Sequence, residues 1–186
     1  FKDKVMMVVN ASNAEKDFAH IARHAATYGV SLRDASDEMA LLAIQGPKAV
    51  ATLQQLTPVD LSAIKYYWFT NGEVSGTPAR IAHTGYTGED GFEIYVPPSE
   101  AARMWQLVLD AGAPFGIKPC GLGARNTLRL EAKMALYGHE IDASLSPLEA
   151  DLGWIVKLDK GEFVGREALR QQKESGITRK LIGFEM

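Results

Sequence analysis

The feature that most constrains the fold is a glycine-rich stretch in the middle of the chain, His83-Thr-Gly-Tyr-Thr-Gly-Glu-Asp-Gly-Phe-Glu-Ile-Tyr-Val96. Three glycines recur at every third residue, and glycine permits the positive φ angles and close backbone approach of a tight loop. Apolar and polar residues then alternate, as they do in a strand with one buried face. The stretch therefore predicts an irregular loop that leads into a strand, with Phe92, Ile94 and Val96 on one side and Glu93 and Tyr95 on the other.

Two interpretations of this stretch stay open on the residues alone. In the first, the Glu93 carboxylate lies beside a loop with little side-chain bulk and accepts a pair of N–H bonds from a flat heterocycle. Tyr86 stacks on that ligand, and Arg125, in the first turn of a helix predicted over 123–132, donates to its carbonyl or carboxylate groups. In the second, the loop is an acidic hairpin turn with solvated Glu89 and Asp90. Arg125 is then a surface residue and Tyr86 a turn aromatic. The glycine spacing matches neither the dinucleotide fingerprint nor the phosphate loop.

Charge and cysteine content exclude several function classes. The net charge is −3 without a basic block, which argues against binding to a nucleic-acid backbone. No apolar run approaches 18 residues, so we expect no membrane span. Cys120 is the single cysteine, which precludes an internal disulfide and fits a reducing compartment. We therefore expect a cytoplasmic protein, or one of the mitochondrial matrix if the source is eukaryotic.

The histidines do not predict a metal site. His20 and His24 lie four residues apart on a predicted helix, a spacing that suits zinc, but no third ligand accompanies them. We expect them to be solvated and expect no metal. His83 and His139 are open as general bases or as structural residues near turns.

Periodicity and turn residues predict an α+β fold with largely antiparallel sheet and packed helices, because predicted hairpins alternate with predicted helices. An Asn71-Gly72 pair predicts a hairpin turn. The predicted strands cover residues 4–9, 30–34, 39–45, 66–69, 77–83, 92–96, 154–158 and 180–186. The predicted helices cover residues 14–28, 46–56, 101–109, 123–132 and 165–172.

Seven motifs, in order along nearly the whole chain, resemble the glycine-cleavage T-protein family, the folate-dependent aminomethyltransferases. Any one alone is weak, but their shared order makes the resemblance specific. They are Val8-Val-Asn-Ala-Ser-Asn13, Leu42-Ala-Ile-Gln-Gly-Pro47, Gly85-Tyr-Thr-Gly-Glu-Asp-Gly-Phe-Glu-Ile94, Gly121-Leu-Gly-Ala-Arg-Asn-Thr-Leu-Arg-Leu-Glu-Ala132, Leu136-Tyr-Gly-His-Glu140, Pro147-Leu-Glu-Ala150 with Gly153-Trp154, and Phe163-Val-Gly-Arg-Glu-Ala-Leu169.

The resemblance implies a reaction, a fold and partners. In that family an aminomethyl group arrives on the lipoyl arm of the H-protein, ammonia is released, and the one-carbon unit passes to tetrahydrofolate to give 5,10-methylenetetrahydrofolate. The chain then corresponds to the folate-binding part of the T-protein fold. We expect residues 1–45 to complete a first subdomain, residues 46–145 to form a second, and residues 146–186 to return to the first and begin the link to a C-terminal barrel.

The resemblance also assigns roles to residues. It places pterin binding on Glu93, a second folate contact on Arg125, and a place in the folate pocket on Tyr86. Asn10 lies next to the reacting centre by the same analogy. We name no catalytic residue, because the family's catalytic aspartate corresponds to a position before Phe1.

Three departures from the family pattern bear on these expectations. Asn126 stands where the family usually has aspartate, and Lys133 stands where it usually has glycine. On the family resemblance, we expect the catalytic aspartate before Phe1 and the C-terminal barrel after Met186. We therefore expect an active parent protein, and no turnover from these residues alone.

Two other functions remain open on the same scaffold. One is a folate-dependent demethylase of a methylated amine or sulfonium compound, which Asn126 and Lys133 keep possible. The other is a folate-binding factor for iron–sulfur assembly. Members of that group carry a cysteine where this chain has Glu162, and the chemistry of a thiol is not replaced by a carboxylate.

Overall fold

The computed structural model describes residues 3–184. Nine regular elements follow one another in this part of the chain. The five helices are α1 (Ala14–Ala25), α2 (Ala49–Leu53), α3 (Ala101–Gly112), α4 (Leu122–Glu131) and α5 (Arg166–Ser175), and the four strands are β1 (Ala40–Gln45), β2 (Phe69–Val74), β3 (Thr77–Ala82) and β4 (Gly91–Val96). Short 3-10 turns lie at Ala11–Asn13, Ala26–Tyr28, Ser36–Glu38, Leu61–Ala63, Pro98–Glu100, Ala113–Phe115 and Gly153–Ile155.

The four strands form one antiparallel sheet in the order β1-β4-β3-β2. Leu42 pairs with Ile94, and Ile81 pairs with Ile94 from the other side, so apolar side chains line up across one face. Arg80 pairs with Tyr95 and Ala82 with Glu93 on the opposite face. The predicted α+β class with an antiparallel sheet is confirmed.

One face of the sheet forms the core because alternate residues of each strand are apolar. Phe92 and Ile94 of β4 are fully buried, as is Ile81 of β3. Helices α2 and α3 cover this face with Leu53 and Met104, which are also fully buried. The other face of the sheet carries polar residues of β3 and β4, namely Arg80, Glu93 and Tyr95.

The chain divides into two compact units, and the boundary lies within α4 between Arg125 and Asn126. The first unit contains the sheet with helices α1, α2 and α3. The second contains the last part of α4, helix α5 and long irregular segments. The division predicted above, with boundaries at residues 45 and 145, stays a prediction.

Several predicted strands are wrong. Residues 4–9, 30–34 and 180–184 are irregular, and residues 154–158 form the end of a 3-10 turn and a loop; residues 185–186 of the last predicted strand lie outside the described part. Their β-branched and apolar residues predicted strands, but a strand also needs a neighbour to accept its backbone hydrogen bonds. Val5 and Val8 are 87% and 61% exposed, so this segment is not part of a buried sheet.

The hairpin predicted at Asn71-Gly72 is also wrong. Both residues lie inside β2, and the turn falls at Ser75 and Gly76, which have φ angles of 46° and 76°. A Cβ atom at Gly72 would lie 2.5 Å from Cγ2 of Val59. Glycine is therefore present for close packing rather than for a turn.

Candidate ligand-binding site

The polar face of the sheet forms the floor of a pocket of about 410 Å³ in the first unit. The floor consists of Arg80, Ala82, Glu93 and Tyr95 from β3 and β4. An aromatic segment, residues 67–69, forms one wall, and an N-terminal segment that includes Lys4, Val5, Met6 and Val8 forms another. A pocket of this size, largely apolar with a few polar groups, suits a small organic ligand.

The N-terminal segment is attached to this floor through Arg80. Its Nη1 contacts Sδ of Met6 at 3.0 Å and Sδ of Met39 at 3.7 Å. The guanidinium also lies over the Phe69 ring, 5.9 Å from the centroid. Lys4, Val5, Met6 and Val8 therefore line the pocket without forming a strand.

Glu93 is half-buried at the pocket floor, and its carboxylate is oriented by a hydroxyl. Thr84 Oγ1 donates to Glu93 Oε2 at 2.5 Å. The Tyr95 hydroxyl is hydrogen-bonded to the same carboxylate. A carboxylate has four lone-pair positions, so these two hydroxyls still leave room for N–H donors of a ligand. Burial, followed by the neighbouring Glu93 charge, raises the pKa of Tyr95 to about 12 despite the opposing charge of Arg80. Tyr95 is therefore neutral near pH 7 and able to donate.

The glycine-rich loop, residues 84–90, is held by the amide of Gln45 at the end of β1. Gln45 Nε2 donates to the Thr84 carbonyl at 3.2 Å, and Gln45 Oε1 accepts from Thr87 Oγ1 at 3.3 Å. A Cβ atom at Gly85 would lie 1.8 Å from Gln45 Oε1, and one at Gly91 would lie 2.5 Å from Nε2. Both glycines are needed because the Gln45 amide occupies the space beside them. The predicted irregular loop before β4 is confirmed.

Tyr86 and Arg125 meet in a cation–π contact. Cζ of Arg125 lies 4.5 Å from the centroid of the Tyr86 ring. Tyr86 is half-buried in the loop, and Arg125 is exposed in the first turn of α4. The structure thus brings these two predicted residues together, and it joins Glu93 to the same loop through Thr84. Stacking of a guanidinium on a ring fixes the plane of its N–H donors.

Asn10 occupies a different position. It is exposed, it precedes the 3-10 turn Ala11–Asn13, and its carbonyl accepts from the Asn13 amide at 2.9 Å. Neither Asn10 nor Tyr86 nor Arg125 is among the residues that line the pocket. The role predicted for Asn10 stays a prediction.

A comparison with protein families decides the affiliation of the chain. A family model described as the GCVT N-terminal domain matches residues 1–160. The chain belongs to the GCVT family, that of the glycine-cleavage T-proteins. The family resemblance inferred from the seven motifs is confirmed.

Similarity to individual proteins supports this family assignment. The aminomethyltransferase of Desulfitobacterium hafniense (strain DSM 10664 / DCB-2) is 53% identical over 185 residues, which are 100% of this chain and 51% of that protein. The aminomethyltransferase of Bacteroides thetaiotaomicron is 53% identical over 186 residues, with 51% of its length covered. This chain therefore spans about half the length of the curated relatives that it matches.

A solved structure of the family has the same fold. The crystal structure of glycine cleavage system aminomethyltransferase T from Bartonella henselae superposes with a TM-score of 0.75 at 32% identity. The match covers 90% of this chain and 45% of that one. The fold class inferred from the sequence is therefore that of a GCVT protein.

Asn126, the first departure from the GCVT pattern, is a partner of a buried arginine in the second unit. Asn126 Oδ1 accepts from Nε and Nη2 of Arg129 at 3.0 and 2.5 Å. Arg129 is 1% exposed, pairs with the Glu140 carboxylate, and donates to the Met134 carbonyl at 3.1 Å. Burial opposes ionisation of Glu140, but the bonds from Arg129 and the Leu136 amide outweigh it and lower the pKa of Glu140. Asn126 adds acceptor capacity without a second negative charge beside this pair.

Lys133, the second departure, ends helix α4 in the left-handed region with a φ of 57°. Its amide donates to the Leu130 carbonyl at 2.9 Å, and the Met134 amide donates to the Arg129 carbonyl at 2.8 Å. This pair of bonds is the Schellman motif, in which glycine is favoured at the position of Lys133. A glycine there, the residue expected from the family resemblance, would adopt this conformation without strain.

The histidines and acids form no metal centre in the described residues. No group of three or more His, Cys, Asp or Glu side chains that suits a metal ion is found between residues 3 and 184. The His20 and His24 rings contact each other at 4.9 Å, and Arg23 contacts His20. Over the same range, no helix has the length and apolar character needed to cross a membrane.

Sequence reasoning missed Thr84, Arg80, Tyr95 and Gln45 as parts of the site. For Arg80 and Tyr95 a signal was present, because strand alternation places both on the same face as Glu93 once β3 and β4 are paired. Gln45 follows the last core residue of β1, and nothing in its neighbourhood predicts that its amide reaches the loop 39 residues away.

Proposed function

We propose that this chain is the folate-binding part of an aminomethyltransferase of the glycine cleavage system. In the intact protein, the one-carbon unit on aminomethyl-lipoyl H-protein is transferred to tetrahydrofolate, and ammonia leaves. The bonds from the carbon to the amine nitrogen and to the lipoyl sulfur both break, and two bonds to folate nitrogens form in their place. The two protons from those nitrogens end on the departing ammonia and on the lipoyl thiol.

The observation that carries this proposal is the position of Glu93. It lies on the floor of a pocket of about 410 Å³, oriented by Thr84 and surrounded by the aromatic wall and Tyr95. A pterin is flat and presents adjacent N–H donors on one edge, which a carboxylate accepts as a pair. The pocket therefore offers a carboxylate that accepts the N–H bonds of such a ring and aromatic side chains that can contact its flat faces.

The stacked Tyr86 and Arg125 supply a second element of the proposed site. The guanidinium is always charged and keeps N–H donors in a fixed plane, so it suits an anionic group of the folate. Its place in the first turn of α4 adds the favourable field of a helix N-terminus for an anion. In this proposal Glu93 and Arg125 bind and orient the folate, and neither takes part in proton transfer.

The reaction implies partners and a setting. A lipoylated H-protein supplies the one-carbon unit, and tetrahydrofolate receives it. No metal is required for the transfer. We propose a cytoplasmic location in a bacterium, or the mitochondrial matrix in a eukaryote, where this system operates. Nucleic acid and membranes have no part in this proposal.

The residues that suggested the alternative functions have structural contacts of their own. Asn126 and Lys133 favoured a demethylase only as departures near the site, and both have structural roles in the second unit. Glu162, in place of the cysteine of the iron–sulfur assembly factors, pairs with Arg166 Nη1 at 3.1 Å. The similarity to aminomethyltransferases supports that function as the one to test first.

The test is the affinity for tetrahydrofolate, measured by calorimetry without oxygen. Glu93→Gln keeps the size of the side chain but replaces one acceptor with a donor. We expect it to weaken binding roughly ten- to a hundredfold, the effect of losing a hydrogen bond to a charged group. Glu89→Gln is the matched control, because Glu89 is an exposed acid of the same loop. Equal affinities of wild type and Glu93→Gln would contradict the proposal, as would an equal loss in Glu89→Gln.

A further inference from the structure

His83 closes the glycine-rich loop with two hydrogen bonds from one ring. Its Nδ1 lies 2.7 Å from the Ile64 carbonyl oxygen, and its Nε2 lies 2.6 Å from Asp90 Oδ1. His83 precedes the loop and Asp90 ends it, so the second bond joins the two ends of the loop. Asp90 Oδ1 also accepts from the Gly91 amide at 3.0 Å, and the Asp90 carbonyl accepts from the Gly46 amide at 2.8 Å.

Both partners of the ring are acceptors. A carbonyl oxygen has no proton to give, and an ionised carboxylate has none either. Both ring nitrogens must therefore donate, which only the protonated imidazolium does. A neutral ring in either tautomer keeps one of the two bonds and loses the other.

The surroundings of the ring favour this charged form. The ring stacks on Phe92 with 4.6 Å between centroids and contacts the edge of Tyr66 at 5.4 Å. The ionisable groups that face it are the Asp90 carboxylate and the Tyr66 phenol. Burial, then Tyr67 and Asp90, raise the pKa of Tyr66, which leaves that phenol neutral. Burial of His83 disfavours its charge, but the bonds to Ile64 and Asp90 outweigh burial and raise the pKa of His83.

The loop closed in this way carries two parts of the proposed site. Thr84, which orients Glu93, follows His83 directly, and Tyr86, which stacks with Arg125, is three residues away. The opposite side of the loop is held by Gln45 through groups that do not titrate. His83 is thus an ionisable attachment between the two ends of the loop, beside the Gln45 bonds, the Thr84–Glu93 bond and the Tyr86–Arg125 contact.

We propose that His83 is a positioning residue whose protonation holds the loop 84–90 in the conformation that binds folate. When the ring is charged, it fixes Asp90 and Ile64 together, and Thr84 and Tyr86 are held in place. When the ring loses a proton, one attachment is released and the loop gains freedom. The inference rests on the proposed function for its ligand and on the His83 geometry for the loop.

The direction of the pH dependence follows from the raised pKa. Both bonds are present below the ordinary pKa of histidine, 6.5, and one is lost as the pH rises through the higher pKa of His83 in the folded protein. We expect tetrahydrofolate affinity to be greatest at pH values below the pKa of His83, where the ring is protonated. Across the transition it should fall roughly fivefold, the order of one lost hydrogen bond.

Two measurements on the same samples test the inference. Nuclear magnetic resonance follows the His83 ring and the Tyr86 and Gly88 amides from about pH 5.5 to about pH 8.5, without ligand. Calorimetry measures tetrahydrofolate affinity at the same pH values. We expect one midpoint above 6.5 for the ring, the loop amides and the affinity, and Asp90→Asn should shift that midpoint downward.

Substitutions at His83 separate positioning from a merely structural role. His83→Arg keeps a permanent charge with several donors, and we expect affinity near the wild-type maximum at all pH values. His83→Gln cannot donate from two ends, and its affinity should be low and flat with pH. Spectra of each variant establish that it is folded, and Asp90→Asn tests the same attachment if His83→Gln does not fold.

The contradicting results are specific. If the ring titrates and the loop amides do not respond, the positioning role is overturned. A wild-type pH profile in His83→Gln would overturn it equally. If tetrahydrofolate does not bind at any pH, the proposed function fails, and the coupling between ring and loop amides still decides the role of His83.

Discussion

At the scale of single residues, Lys133 is in a backbone conformation that its type disfavours. The left-handed region brings Cβ close to the following carbonyl oxygen, which costs about 1–2 kcal/mol in a residue other than glycine. Lys133 is exposed, so its side chain does not gain burial in return. The hydrogen bond and charge of Lys180 lower the pKa of Asp151, and the Lys133 charge adds to this only as the smallest cause. Such an exposed interaction has small energetic value.

We therefore predict that Lys133→Gly stabilises the protein. The relief of backbone strain exceeds the extra unfolded-state entropy of glycine, and the free energy of unfolding should rise by about 1 kcal/mol. Denaturation by urea measures it. The matched control is Lys173→Gly in the last turn of α5, where the helical backbone suits lysine, and stability should fall by about 0.5 kcal/mol. A loss of stability in Lys133→Gly would contradict the explanation.

At the scale of elements, prediction succeeded where local pattern and pairing agree. The alternation in β4 and the helical spacing in α3 each bury a clear apolar face, and both elements lie close to their predicted positions. The segments 4–9, 30–34 and 154–158 have strand-like composition but no strand beside them in the described part of the chain. Pairing depends on residues far along the chain, so it is not contained in a local pattern.

One irregular element of the second unit depends on a single acid. Glu149 Oε2 accepts from the Ser146 amide at 2.9 Å, Oε1 accepts from Arg179 Nε at 2.8 Å, and the Glu149 carbonyl accepts from the Leu181 amide at 2.7 Å. The Ser146 amide first, and then Arg179, lower the pKa of Glu149 to about 2. The turn at residues 146–150 is thereby attached to residues 179–181.

The lowered pKa of Glu149 predicts that the stability of the protein depends on pH. Because the pKa of Glu149 is lower in the folded than in the unfolded state, its contribution is complete above pH 4.5 and is lost as the pH falls from 4.5 towards about 2. Glu149→Gln should be less stable at neutral pH and should lose less stability over that interval. Urea midpoints measured at several pH values test it, with Glu131→Gln, an exposed acid of the same unit, as control. Parallel losses in wild type and Glu149→Gln would refute the assignment.

At the scale of the whole molecule, the residues that carry the proposed site lie in the first unit. Glu93, Thr84, Tyr86 and Arg125 all precede the boundary after Arg125. The family motifs predicted Glu93, Tyr86 and Arg125 as site residues, and two of these, Tyr86 and Arg125, meet in the structure. The pocket itself could not be predicted, because its walls come from the N-terminal segment and residues 67–69, which only the folded sheet brings together.

The most direct test of the account is a crystal structure of the protein with bound tetrahydrofolate or its stable 5-formyl derivative. We predict that the pterin ring lies in the pocket, with its N–H edge within hydrogen-bond distance of the Glu93 carboxylate, which stays bonded to Thr84. Arg125 should remain stacked on Tyr86 and face an anionic group of the ligand. A folate bound elsewhere, or one in the pocket that leaves Glu93 without a contact, would contradict the account.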